Sequence, residues 1–298
     1  MKCLIDADVL LYEAAFGGEY LDEETGEKVQ RDFSQVSDLF DQKVKEIEDA
    51  CWADEKSKLF LTGNEFLAKL ENRKRKREGL EPLSFPPNFR FKIAVSVPYK
   101  STRSAKPYHY YNLLAYIYHA YNPIIAWGME ADDMLCIYQQ RFLKEQSTII
   151  CTRDKDLRMM EGWHYGWECH NQPAWGPAKV ERLGDIHPKF SMVKNAKGEY
   201  VERMTEVKGT GLKFFYAQLI MGDSVDTIPG LPRGGPAMAY KALSECETEL
   251  ELYRAVKALY EAKGKTLDYF MEQAQLLWMV REVNDDGLPV MYKLPEEW

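Results

Sequence analysis

Short apolar runs alternate with longer charged stretches over the first 170 residues of the chain. KCLI, KLFLTG, PIIAW and STIIC have the length and composition of buried strands, and Gly or an acidic residue follows closely after each run. Helical spacing of apolar positions over 34–58 predicts a helix between two of these strands. The alternation indicates a parallel α/β sheet flanked by helices. The predicted strands span 2–11, 58–63, 123–127 and 147–151, with a short fifth strand inside HYGWECHNQPAW.

The pattern changes in the last third of the chain. FSMVKNAKGEYVERM predicts a hairpin around a Gly-containing turn. From about residue 209, apolar residues recur at helical spacing in GLKFFYAQLIMG, GPAMAYKALSE, TELELYRAVKALYEA and TLDYFMEQAQLLWMVRE. We therefore expect an α/β domain over 1–205 and a helical domain over 206–298.

Composition narrows the class of protein. The 298 residues are 45% hydrophobic, which is enough for a large core. The apolar runs all fall short of the roughly 20 residues that span a bilayer. Asp6, Asp8 and Glu13 interrupt the N-terminal apolar stretch, so it does not fit a secretory signal. The six cysteines form no C-x-x-C pair, and a disulfide framework or zinc module is not expected. We predict a cytoplasmic protein.

Charge is distributed unevenly along the chain. The net charge of −8 argues against nucleic-acid binding when it is taken globally, because phosphates are bound by Lys and Arg. Basic residues nevertheless concentrate between 69 and 106. Five consecutive ones, Arg73, Lys74, Arg75, Lys76 and Arg77, suit a single strand of nucleic acid. A solvated face of a flexible helix is the alternative explanation for this run.

Acidic residues follow the predicted strands in three places, and a fourth group follows an apolar helix. A single such group could cap a helix, where the dipole favours negative charge. In an open parallel sheet, however, the carboxyl ends of the strands border one crevice. Carboxylates that converge there repel one another unless cations neutralise them, and oxygen ligands without His or Cys favour Mg²⁺ or Mn²⁺. Enough acids are present for two ions about 4 Å apart.

Three of these segments resemble the flap-endonuclease/5′-nuclease superfamily, which includes phage 5′→3′ exonucleases and the 5′-nuclease domain of bacterial DNA polymerase I. They are GMEADD, CTRDKDL and LIMGDSVDTIPGLPRGGPAMA. The resemblance is closest to the phage branch and covers roughly 2–15 and 88–245. It implies a PIN-like nuclease domain with a basic arch inserted near 64–106. It also implies a helix-three-turn-helix in the C-terminal helical domain.

The resemblance assigns roles to individual residues. In YKSTR, Lys100 and Arg103 would act on the scissile phosphate, with Tyr99 beside them at the nucleic acid. Asp8 receives no ligand role and is expected only to cap. The implied ligands of two Mg²⁺ ions, for which Mn²⁺ could substitute, are Asp6, Glu130, Asp132, Asp133, Asp154, Asp156, Asp223 and Asp226.

Nucleic-acid contacts are expected in two regions. One is the basic arch, together with Arg90. The other is the IPGLPRGGPAMA segment, where backbone N–H groups suit a phosphate and K⁺ is a candidate ion. The residues expected to contact DNA are Gly230, Arg233 and Gly235 in that segment and Lys241 just after it. Arg233, Gly234 and Ala237 depart from the family pattern and weaken the expected binding of K⁺ and of duplex DNA, for which the charges of Arg233 and Lys241 would partly compensate.

A further departure is Gly63, since many family members carry an Asp at the end of the second strand. The resemblance implies a two-metal 5′→3′ exonuclease or 5′ flap endonuclease that leaves 5′-phosphates on DNA, or on DNA–RNA hybrids. Expected partners are DNA with 5′ ends, flaps or single-strand/duplex junctions, and replication proteins, with the chain itself monomeric. Two alternatives stay open. One is a non-catalytic protein that binds DNA structures, and the other is a Mg²⁺-dependent phosphatase or phosphotransferase of small molecules.

Overall fold

The structure, a computed structural model, describes residues 1–101, 105–170 and 172–295. It contains ten strands and ten α-helices within these ranges. The strands are β1 (Lys2–Asp6), β2 (Glu19–Leu21), β3 (Lys28–Gln30), β4 (Lys58–Thr62), β5 (Ile124–Ala126), β6 (Thr148–Cys151), β7 (Gly162–Gly166), β8 (Trp175–Val180), β9 (Ile186–Lys194) and β10 (Tyr200–Gly209). The helices are α1 (Ala7–Gly17), α2 (Phe33–Ala50), α3 (Glu65–Arg77), α4 (Arg90–Ile93), α5 (Tyr110–Tyr121), α6 (Ala131–Arg141), α7 (Gly211–Met221), α8 (Pro236–Leu243), α9 (Glu249–Ala262) and α10 (Leu267–Leu277).

The main sheet has six strands in the order β5-β4-β1-β6-β7-β8. All neighbours are parallel except β8, which runs antiparallel to β7 at one edge. The chain builds outward from β1 in one direction through β4 and β5, and then returns to the other side of β1 with β6. The strand order therefore reverses between β1 and β6, which makes this pair the topological switch point of the sheet.

Both faces of the sheet are covered by helices. Side chains alternate along a strand, so Cys3 and Ile5 of β1 join one apolar cluster while Leu4 joins another. Helices α1, α2 and α5 cover the first face, and α6 covers the second. This confirms the predicted α/β sheet flanked by helices.

The C-terminal helices surround α7, whose residues are almost all buried. The chain after α10 then returns to the sheet, where Met279 and Val280 pack beside α6. The helical C-terminal region is therefore confirmed. The segment predicted to be a helix-three-turn-helix contains α7, the loop over 222–235 and α8. Both its assignment to that motif and its DNA binding stay predictions. The predicted domain boundary at 205/206 falls within β10.

Two predicted elements are wrong in their extent: the helix expected over 34–58 ends at Ala50, and the first strand is shorter than predicted. The first strand was expected over 2–11, but it ends at Asp6, and α1 begins at Ala7. The Asp6 carboxylate accepts a hydrogen bond from the Val9 amide and caps the helix, so the polar residue marks a switch from strand to helix. A small antiparallel hairpin of β2 and β3 had no counterpart in the sequence-based prediction. Among the described residues, no helix has the length and apolar character that a bilayer crossing requires.

Candidate active site

Acidic side chains gather at the carboxyl edge of the sheet, on both sides of the switch point. Asp6 ends β1 and is 1% exposed. Thr152 follows β6, and its hydroxyl donates to Asp6 Oδ2 at 2.7 Å. The Thr152 hydroxyl oxygen in turn accepts a hydrogen bond from the Asp154 amide. Burial first, and then the nearby Asp8 carboxylate, raise the pKa of Asp6 to about 7. The two central strands therefore place two carboxylates beside each other.

The end of β4 contributes backbone and hydroxyl groups. The Thr62 amide donates to Asp8 Oδ2 at 3.0 Å, and the Thr62 hydroxyl accepts the Ala131 amide at 2.9 Å. These bonds join β4 to the first turns of α1 and α6. Burial raises the pKa of Asp8, with the Glu130 carboxylate adding to the effect. Asp8 therefore lies inside the acidic group, whereas the sequence had suggested only a cap.

The first turn of α6 carries three acids with different surroundings. Glu130 caps the helix and Asp132 faces the other strand-end acids. Burial, followed by the charges of Asp6 and Asp154, raises the pKa of Asp132 well above its usual range. Asp133 is 0% exposed and lies on the other side of the turn.

Both carboxylate oxygens of Asp133 are taken up by a buried ion pair with Arg90 and by backbone amides. Arg90 Nη1 and Nη2 donate to its two oxygens at 2.6 and 2.8 Å, and the amides of Glu130 and Val280 donate to the same carboxylate. Arg90 also donates to the Leu276 and Trp278 carbonyls, and it is 1% exposed. The structure therefore places Asp133 and Arg90 in a structural bridge between α6 and the C-terminal segment, away from the surface that DNA could reach.

The first half of the site is formed by Asp6, Glu130 and Asp132, and Lys100 brings a positive charge to it. Its Nζ lies 2.7 Å from Glu130 Oε1 and 3.5 Å from Asp226 Oδ1. The buried Tyr99 hydroxyl lies within hydrogen-bond distance of Glu130 and Asp226 as well, at 3.0 and 2.8 Å. Burial opposes ionisation of Glu130, but Arg90 and Lys100 outweigh it and lower the pKa of Glu130. Tyr99 thus orients acids, and it is not exposed for stacking on a base.

The second half of the site contains Asp156 and Asp223. Lys155 Nζ lies 3.2 Å from Asp223 Oδ2 and 3.8 Å from Asp156 Oδ1. Gln218 of α7 donates to Asp156 Oδ1 at 2.7 Å. Burial and then the Asp154 charge raise the pKa of Asp156 well above its usual range, whereas at Asp223 burial is outweighed by Lys155, which lowers the pKa.

The donor set fits hard divalent cations. The acids supply only oxygen, and burial followed by repulsion among them raises the pKa values of several members, which a cation would counteract. Among the described residues, no three carboxylates place an oxygen each within 4.8 Å of one another. Mg²⁺ tolerates this spacing, because it usually keeps several waters and binds one or two carboxylates directly. A tighter group of three thiols, Cys3, Cys51 and Cys151, is buried in the core and separate from this site.

The predicted basic arch forms a regular helix in part. Asn64 caps α3, whose Leu67 and Ala68 are buried against the core. Arg73, Lys74 and Arg77 line a cavity of about 200 Å³ together with Tyr118 and His119 of α5. Lys76 is exposed, and the Arg75 side chain donates to the Glu81 carbonyl. The basic run therefore lies in the last turns of α3, with Arg73, Lys74, Lys76 and Arg77 open to solvent.

Some of the predicted DNA contacts in and after the 222–235 loop are exposed, and one is buried. Arg233 and Lys241 are exposed, and Gly235 precedes α8. Gly230 is buried: its amide donates to Gln273 Oε1 at 3.0 Å, and a Cβ there would lie 2.4 Å from the Gly222 nitrogen. Gly230 therefore serves the packing of the loop. Arg103 lies outside the described residues.

Sequence reasoning missed the residues that hold the acids in place. Thr152 and Gln218 bond directly to Asp6 and Asp156, and Lys155 lies between two acids. Thr152 and Lys155 stand within CTRDKDL, so their position in the motif was a usable signal. Gln218 lies in an apolar helix 62 residues from its partner, and nothing local marks it.

No protein-family model matches the chain, and no curated protein matches it. The solved structures that resemble it include two of the D15 protein of bacteriophage T5. One, co-crystallised with metal ions, is 10% identical, with a TM-score of 0.46 over 91% of this chain and 86% of the other. The second, a flap endonuclease in a pseudo-enzyme–product complex with DNA and metal ions, is 11% identical, with a TM-score of 0.45 over the same shares. The similarity is distant.

Proposed function

We propose that the protein is a metal-dependent 5′-nuclease that hydrolyses phosphodiester bonds of DNA, as a 5′→3′ exonuclease or 5′ flap endonuclease. One observation carries the proposal: acids from four separate segments meet at the switch point of a parallel sheet, with Lys100 among them. Ligands of open α/β sheets bind at this place. Acids together with a fixed lysine suit a substrate whose anionic group is bridged to the protein by cations.

Two Mg²⁺ or Mn²⁺ ions are the proposed cofactors, and when bound they would activate a water and stabilise charge on the phosphate. In the first half of the site, one or two of Asp6, Glu130 and Asp132 would bind one ion directly and the rest would bind it through water. In the second half, Asp154, Asp156 and Asp223 would hold the other ion in the same way, with Asp226 between the halves. Asp133 has no free oxygen for this purpose, so its proposed role is to fix the first turn of α6 through Arg90.

Lys100 is the proposed contact to the scissile phosphate, with Arg103 as its partner. The backbone of Lys100 adopts a left-handed conformation, with φ of 49°, and its amide donates to the Asp226 carbonyl at 3.0 Å. A non-glycine residue in that region costs about 1–3 kcal/mol and persists where the surroundings require it. The strain supports a positioned ammonium group, which would stabilise negative charge as it develops on the phosphate.

The proposed DNA path joins two exposed basic regions. The face of α3 that carries Arg73, Lys74 and Arg77 would contact a single strand, because a positively charged groove with nearby aromatic groups suits such strands. Arg233 and Lys241 would contact a duplex near α8. Flaps, duplex 5′ ends and junctions are therefore the proposed substrates, and 5′-phosphates are the proposed products.

The decisive experiment is cleavage of a 5′-labelled flap duplex with Mg²⁺, with EDTA, and by the variant that combines Asp154→Ala and Asp156→Ala. We expect cleavage that EDTA and the double substitution both abolish. Circular dichroism would check that the variant is folded. Equal cleavage by the variant would contradict the site assignment. A wild-type protein that binds the flap tightly without metal and never cuts it would support the non-catalytic alternative, which the missing acid at Gly63 favours.

A further inference from the structure

Gly63, the residue that follows β4, has no room for an acidic side chain. A Cβ at Gly63 would lie 2.4 Å from Trp127 Cε3 and 2.8 Å from the Ala126 carbonyl oxygen. Trp127 is partly buried and packs against Phe85 in a tilted arrangement, with ring centroids 4.7 Å apart, so this contact restrains it from moving aside. The Gly63 amide also donates to the Ala126 carbonyl at 2.8 Å. Glycine is therefore required here, and any carboxylate beside β4 has to come from another element.

Asp8 reaches this place from α1. Its Oδ2 accepts the Thr62 amide at 3.0 Å, across 54 residues of sequence. Asp6 is the cap of α1 and Asp8 is the second residue of the helix, so a step of two residues places both carboxylates at the carboxyl edge of the sheet. Asp6 thus lies at the end of β1 and Asp8 lies beside the end of β4.

The surroundings of Asp8 are those of the site and not of a simple helix cap. A helix dipole alone would leave an acid in the first turn facing solvent. Asp8 is instead only partly exposed and lies close enough to interact with the charges of Asp6, Glu130 and Lys100. The Thr62 amide donates a hydrogen bond to Asp8, and the Thr62 hydroxyl accepts one from Ala131 in the first turn of α6. One residue therefore fixes Asp8 relative to the acids of α6.

We propose that Asp8 supplies, from helix α1, the metal-binding carboxylate that β4 cannot carry at Gly63. This inference rests on the proposed function, since it concerns the same metal centre. It predicts that Asp8 joins the other acids of the first half in binding metal, although residue 63 is glycine.

The test measures metal binding directly, by calorimetric titration of Mn²⁺ into the full chain without DNA. Asp8→Asn is the informative variant, because an amide oxygen can still accept the Thr62 hydrogen bond while the negative charge is removed. Asp154→Asn is the reference for a ligand, and Asp38→Asn, on the exposed face of α2, is the matched control. Mutation of the outer-shell partners of metal ligands already weakens affinity by about 10–100-fold, so the loss of a metal-binding carboxylate should cost about tenfold or more.

We expect Asp8→Asn and Asp154→Asn to weaken Mn²⁺ binding by about tenfold or more, and Asp38→Asn to leave it unchanged. Thermal unfolding of Asp8→Asn in EDTA should occur at or above the wild-type temperature, because repulsion among the acids is relieved. Unchanged Mn²⁺ affinity in Asp8→Asn, alongside a loss in Asp154→Asn, would overturn the role of Asp8 alone. Absence of saturable Mn²⁺ binding by the wild-type protein would overturn the proposed metal centre and this inference with it.

A second variant tests the steric part of the inference. Adding Gly63→Asp to Asp8→Asn should not restore Mn²⁺ affinity, and it should lower the unfolding temperature because of the contact with Trp127. Recovery of wild-type affinity in the double variant would show that β4 can carry the acid after all.

Discussion

The two halves of the acidic site each contain a lysine, but the two lysines are held differently. The Lys100 side chain is 18% exposed, and its backbone is bonded to Asp226 in a left-handed conformation. The Lys155 side chain is 49% exposed and contacts Asp156 and Asp223 only through its ammonium group. We therefore expect Lys100, whose backbone is fixed, to remain in the site. Lys155 lies at the end of an open, flexible side chain, so a metal cation can take the place of its ammonium group.

Replacing Lys100 is expected to have the largest effect on activity. Lys100→Ala should lower the single-turnover cleavage rate of a flap duplex by about 10²–10³-fold, the usual result of removing one preorganised group that stabilises transition-state charge. Rates at saturating enzyme and Mg²⁺ would measure this. Lys92→Ala is a suitable control, because Lys92 is an exposed lysine on the nearby α4. A loss below threefold would remove the distinction between the two lysines.

Breaking the buried ion pair should affect stability most strongly. Arg90→Ala leaves Asp133 buried without a counter-charge, and removing one partner of such a pair typically costs about 3–5 kcal/mol. Denaturant unfolding would show the loss, and metal affinity should fall with it because Glu130 is bonded to Asp133. Asp133→Asn combined with Arg90→Met should recover part of the stability. A loss of less than about 1 kcal/mol in Arg90→Ala would contradict the structural role of the pair.

The pH dependence of stability should report the burial of Asp6 and its repulsion by Asp8. The folded pKa of Asp6, about 7, lies above the unfolded value of 3.8, so the folded state binds more protons between these values. Stability from this group is therefore present at low pH and lost as the pH rises from about 4 to about 7. In EDTA, the advantage of Asp6→Asn over wild type in free energy of unfolding should grow across that range. A constant difference would contradict the raised pKa.

Replacing Lys155 should have the smallest effect. If Lys155 is an exchangeable partner of the acids, Lys155→Ala should change the cleavage rate at saturating Mg²⁺ by less than about tenfold, which corresponds to 1.4 kcal/mol. Its Mn²⁺ affinity should rise slightly, since a competing charge is lost. Parallel rate and titration measurements with Lys100→Ala would check both statements. An equal loss of rate in the two variants would mean that both lysines are fixed parts of the site.

Much of the fold and part of the site could be predicted from sequence because they depend on local spacing. Apolar runs followed by acids correctly marked the ends of β5 and β6, and a parallel sheet brings such ends to one edge. The extent of β1 was misjudged, since VLLYEA is apolar enough for either a strand or a helix, and the cap formed by Asp6 decided between them. Short apolar runs carry this ambiguity because periodicity cannot separate the two states.

The sequence by itself determined the residue types, the strand ends and the presence of acids in excess of nearby cations. Only the tertiary structure decided which acids share a site. Asp132 and Asp133 are adjacent in the chain, but successive residues of a helix point about 100° apart, so Asp132 joins the strand-end acids while Asp133 meets Arg90. Asp8 joined the site through Thr62, 54 residues away. Pairings over such separations depend on how the strands are ordered, and no local pattern encodes them.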